Sequence, residues 1–72
     1  MSNVLTENQR LLVRYLTAVG CEKIEVILMI TELWDEDAVL EMLEFCKSNP
    51  NASRAQLLRA SSEISSRYEQ EE

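Results

Sequence analysis

The chain has 72 residues, with 13 acidic against 7 basic side chains, a formal charge of −6, no histidine, two cysteines, one glycine and one proline. This length allows one domain near the lower limit for independent folding, and the negative balance disfavours direct attraction to nucleic acid or anionic lipid. Without histidine no Ser–His or Cys–His nucleophile can be assembled, and Cys21 and Cys46, far apart and outside any CxxC, offer no zinc pattern.

So few turn-forming residues argue against a β-rich domain, so the expected fold is all-α: a compact bundle of four short helices at about 6–19, 22–34, 35–48 and 53–68. The first helix opens with Thr6 followed by Gln9, the spacing of a capping box, and closes at Gly20. Between them Leu11, Leu12, Tyr15, Leu16 and Val19 recur at helical spacing, with Arg10, Arg14 and Thr17 opposite.

The next stretch, KIEVILMITELW (residues 23–34), is mostly apolar. Glu25 and Glu32 are seven apart, so a strand would point them to opposite faces while a helix returns them to one stripe. The helix then carries apolar side chains over an arc of roughly 260°, leaving a narrow acidic strip of Glu22, Glu25 and Glu32. It falls well short of the roughly 20 residues that span a bilayer, and the glutamates interrupt it. A continuous helix through Lys47 would rotate its apolar face by roughly 140° between the two halves, so the pattern predicts a break near Trp34 and Asp35.

Asp35 then caps a third helix, with Glu36 and Asp37 in its first turn. Ala38, Val39, Met42, Leu43 and Cys46 form its inward stripe, Leu40 and Phe45 its shoulders, and Asp37, Glu41 and Glu44 its outer side. SNPNAS (48–53) is a loop, because Asn49 precedes Pro50. Ser53 and Gln56 repeat the capping-box spacing, and Leu57, Leu58, Ala60, Ser61, Ile64 and Tyr68 make the thin stripe of the fourth helix. The whole chain is expected to be one domain, with 1–4 and 69–72 frayed.

No pattern here carries chemistry. The acidic runs WDED and YEQEE fall at a helix start and in a tail, where carboxylates are solvated, and no glycine-rich phosphate loop exists. An enzyme is not expected, nor a catalytic residue, cofactor, metal or small-molecule substrate. With two thiols and no secretory pattern, the expectation is a cytoplasmic chain with both cysteines reduced. Cys46 sits on an apolar stripe, while Cys21 precedes a helix, where a thiol can become more acidic.

LTAVGCEKIEVI (16–27) resembles the turn of a helix-turn-helix, with Gly20 in the bend and Ile27 packing behind. The resemblance covers about a dozen residues, and its second helix offers apolar groups and glutamates where a DNA reader needs polar and basic ones. The alternative nucleic-acid contacts are Arg54, Arg59 and Arg67 of the last helix, which would make the chain a dimeric transcription regulator.

The expectation that follows instead is a small acidic protein–protein interaction module that self-associates as a homodimer or engages another protein. The second helix is placed with Ile24, Ile27, Leu28 and Trp34 against the other three. The surplus face, Val26, Met29, Ile30 and Leu33, with Trp34 at its edge, is the candidate partner interface.

Overall fold

The structure, a computed structural model, describes residues 5–69. Its four α-helices are α1 (Glu7–Val19), α2 (Lys23–Glu32), α3 (Glu36–Ser48) and α4 (Arg54–Glu69), with no strand among the described residues. The expected all-α bundle is therefore observed. Helix α4 continues through Glu69, and the fraying expected at 1–4 and 70–72 lies outside the described residues.

Local chemistry fixes most boundaries. At the start of α1 the Gln9 N–H donates to Thr6 Oγ1 (3.1 Å) and the Thr6 N–H to Gln9 Oε1 (2.9 Å), so two amides that the helix cannot satisfy are paired. The end of α1 is a Schellman turn. The Cys21 N–H reaches Leu16 O (3.1 Å) and the Gly20 N–H reaches Thr17 O (3.0 Å), which needs the left-handed φ of 106° that Gly20 adopts.

The α2–α3 break falls where the change of apolar phase places it, although α2 ends at Glu32. The Leu33 N–H still bonds Met29 O at 3.0 Å, and Asp35 then accepts the Asp37 N–H at 2.8 Å as the N-cap of α3. The fully enclosed Leu33 pins the bend while Trp34 turns outward. After α3, Asn49 closes on Phe45 O through its N–H and its Nδ2 (both 2.9 Å), and Ser53 and Gln56 form the second capping box.

Helices α1 and α4 each pack on both α2 and α3 and also touch one another, while α2 and α3 sit diagonally opposite. The shared core comprises Leu12 and Leu16 of α1, Val26, Met29 and Leu33 in and after α2, Val39, Met42 and Leu43 of α3, and Leu57 and Ile64 of α4. Helix α4 adds Ala60, Ser61 and Ser65, whose small side chains let its neighbours approach. The two buried hydroxyls donate to Leu58 O (2.9 Å) and Ser62 O (3.1 Å) of their own helix, so burial strands neither. Among the described residues no helix is long and apolar enough to cross a membrane.

Candidate functional site

Helix α2 is apolar nearly all round, so hydrophobicity alone leaves its rotation open, and the structure turns it the opposite way from the expected one. Val26, Met29 and Leu33 of the expected interface are buried in the core, and Ile30 is half-buried. Ile24, Ile27 and Leu28, expected inside, are 60 %, 51 % and 57 % exposed, and Trp34 is 64 % exposed. Of the residues assigned to the partner face, Trp34 alone is on the surface.

In the observed rotation Glu25 faces α4. Read from sequence as one of a solvated strip, it turns toward α4, where its carboxylate takes a two-point grip on Arg54: Nε to Oε1 at 3.0 Å and Nη2 to Oε2 at 2.6 Å. Oε1 also accepts the Glu22 N–H at 2.9 Å, closing the start of α2. The Arg54 hydrogen bonds foremost, and that N–H next, hold the Glu25 carboxyl below the usual carboxylate range. Arg54 is the first residue of α4, where its charge opposes the helix dipole, and Glu25 neutralises it there. With Glu25 held against α4, the inward arc of α2 becomes Val26, Met29 and Leu33.

The outward arc is ordered. Ile24, Ile27, Leu28 and Thr31 follow i, i+3, i+4, i+7, one continuous stripe along the helix. The Thr31 hydroxyl donates to Ile27 O (2.8 Å), so its polar end is satisfied within the helix. Beside the stripe, α1 and α2 leave an open groove of about 950 Å³ lined by Leu5, Val13, Thr17, Val26, Ile27 and Ile30, among others. The remaining large exposed apolar side chains, Leu5, Leu11 and Leu40, do not extend the stripe along α2.

The arginines proposed for nucleic acid do not come together. Arg54 is held by Glu25, and Arg67 Nη1 lies 3.0 Å from Glu41 Oε1. Arg59 is exposed. Around α4, Arg59 and Arg67 stand roughly 140° and 220° from Arg54, so no one face presents all three. The Arg67 contact belongs to an α3–α4 cluster in which Tyr68 Oη donates to Glu41 Oε2 at 2.8 Å. That hydrogen bond leads the causes that hold the Glu41 carboxyl below its ordinary range, and it pushes the Tyr68 phenol up to about 12.

Both cysteines are buried free thiols. Burial raises the Cys21 pKa, with Glu25 adding to it, and burial foremost raises that of Cys46. Desolvation thus raises the Cys21 thiol at a position where the start of a helix can lower it. Among the described residues no three His, Cys, Asp or Glu side chains gather as metal ligands.

Compared with protein-family models, curated proteins and solved structures, the chain matches none.

Proposed function

We propose that this chain is a small, non-catalytic protein–protein interaction module of the cytoplasm that self-associates through the outer face of α2. The observation that carries the reading is the stripe Ile24, Ile27 and Leu28, each more than half exposed at contiguous helical positions. Single exposed apolar residues are ordinary, whereas contiguous ones mark contact surfaces.

Magnitudes decide which residues must take part. Fully burying an Ile or Leu side chain gains about 1.5–3 kcal/mol, so covering the exposed half of these three gives roughly 2.3–4.5 kcal/mol per chain and roughly 4.5–9 for two. Association costs on the order of 4–15 kcal/mol, so the stripe alone falls short of a mid-range cost. Two-thirds of a tryptophan surface adds about 2.5–4 kcal/mol per chain. With Trp34 included, a mid-range cost of about 9.5 kcal/mol leaves up to about 7.5 kcal/mol, a complex in the millimolar-to-micromolar range over the upper half of that span. Trp34 therefore belongs to the contact.

Light scattering from low-micromolar to millimolar concentration tests this. The native chain should rise from 8.3 kDa toward twice that mass, while Leu28→Glu stays at the lower value with unchanged helical circular dichroism. A native chain that is monomeric throughout would sink the reading.

A further inference from the structure

We infer that the partner is a second copy of this chain packed α2 against α2 in antiparallel orientation, about a twofold axis passing between Ile27 and Leu28. In this arrangement Trp34 of each chain seats at the Cys21–Lys23 end of the other's α1/α2 groove. The inference rests on the self-association just proposed and adds its geometry.

The exposed stripe is symmetric about the middle of α2. The helix runs Lys23–Glu32, so its midpoint falls between positions 27 and 28, and Ile24 and Thr31 lie equally far on either side. A perpendicular twofold axis there sets Ile27 beside the partner's Ile27, Leu28 beside the partner's Leu28, and Ile24 opposite the partner's Thr31. Thr31 suits an apolar contact because its hydroxyl is already bound to Ile27 O, leaving its methyl group to pack.

Charge selects antiparallel over parallel. Lys23 is the first residue of α2 and Glu32 the last, so each opposes the dipole of its own helix. Neither forms an ion pair among the described residues. In a parallel pair Lys23 would stand at the level of the partner's Lys23 with the dipoles aligned. In the antiparallel pair it stands at the level of the partner's Glu32, at a helix end of the sign it needs; the two side chains, about 180° apart around α2, lie on opposite flanks, so the gain comes from the helix ends and not from an ion pair. Two locally unfavourable choices become favourable once the second copy is present.

The same operation uses Trp34. It lies six to seven residues beyond the axis, and Cys21 lies equally far on the other side. The antiparallel pair thus carries the exposed indole to the groove end formed by Thr17, Cys21 and Lys23. There Lys23 can stand over the face of the ring.

Oxidative cross-linking of the full-length chain tests the register, since both native thiols are buried and the unsubstituted chain is the control. Leu28→Cys should form a covalent dimer with itself. Ile24→Cys should not, because two copies of that position lie roughly 10 Å apart along the helices, beyond the roughly 7 Å a disulfide tolerates. Mixed with Thr31→Cys, however, it should cross-link. Self-linking of Ile24→Cys without the mixed product would establish a parallel pair, overturning this geometry while leaving self-association intact. Absence of all three products from a chain that light scattering shows to be dimeric would move the contact to another face and overturn it equally. A chain monomeric by light scattering sinks the underlying reading itself. Trp34→Ala should weaken association at least about tenfold with the fold unchanged, and an unaltered dissociation constant would remove Trp34 from its seat.

Discussion

Leu33→Ala and Leu28→Ala delete the same atoms from positions five residues apart, one at the C-cap of α2 and one within it, and their costs should differ several-fold. Leu33 is 0 % exposed at the bend between α2 and α3, in contact with the shared core. Losing three carbons there removes about 2.4 kcal/mol of transfer free energy, and the cavity left behind raises the total to about 2.7–5 kcal/mol. A domain of this size has roughly 3–5 kcal/mol in all, so Leu33→Ala should leave the chain largely unfolded, while Leu33→Val should stay folded and lose about 1 kcal/mol. Leu28→Ala should cost less than about 0.5 kcal/mol at dilutions where the chain is monomeric, because that side chain packs on little of its own molecule. Urea unfolding followed by circular dichroism, with the slope checked for constancy, measures all three. Equal costs at the two positions in dilute solution would refute the assignment of inner and outer faces.

Three further outcomes follow from named contacts. Gly20→Ala should destabilise by about 1–2 kcal/mol through its left-handed φ alone, since no heavy atom lies within 4 Å of the added carbon, and thermal unfolding reads the loss. Glu25 and Glu41 are depressed below their ordinary value of 4.5 in the folded state, so the stability they add is present above that value and disappears as the pH falls through their folded-state values. Urea midpoints taken from about pH 7 down to about pH 3 should therefore fall, and fall less in the Glu25→Gln/Glu41→Gln double variant. Ultraviolet titration in a Tyr15→Phe background should show Tyr68 ionising at about 12, the folded state losing that contribution as the pH rises through this value, and Glu41→Gln should bring the titration down.

How far the sequence carries depends on whether polar residues mark a face. In α3, Asp37 and Glu44 are on the outer side as expected while Glu41 is half-buried against Arg67 and Tyr68, and the expected inward set of Ala38, Val39, Met42, Leu43 and Cys46 is the buried set observed. Both expected capping boxes form because their partners are only three residues apart. The break at Trp34 was legible without glycine or proline because one rigid helix could not bury two apolar arcs so far out of phase. In α2 the same reasoning had too little polar surface to work on. Its observed rotation places Glu25 on Arg54, 29 residues away, and no local period reports a contact of that range. One nearer signal went unused: Glu22 and Glu25 have capping-box spacing of their own, which ties Glu25 to the start of the helix and takes it out of a freely solvated strip. Ser65 is not on the expected stripe of α4, although its small side chain suits the close helix approach in which it is buried.

Sedimentation equilibrium of the native chain at low and high salt tests the central claim most directly, because contact through the apolar face of α2 and contact through charge respond oppositely. Each chain carries −6, so screening should relieve repulsion between copies and tighten the dimer, whereas binding held by opposite charges weakens in salt. Reversible dimerisation that strengthens with added salt, and is abolished by Leu28→Glu, is the expected result. A single 8.3 kDa species in both salts at concentrations up to millimolar, or a dimer that dissociates as salt is added, would contradict it.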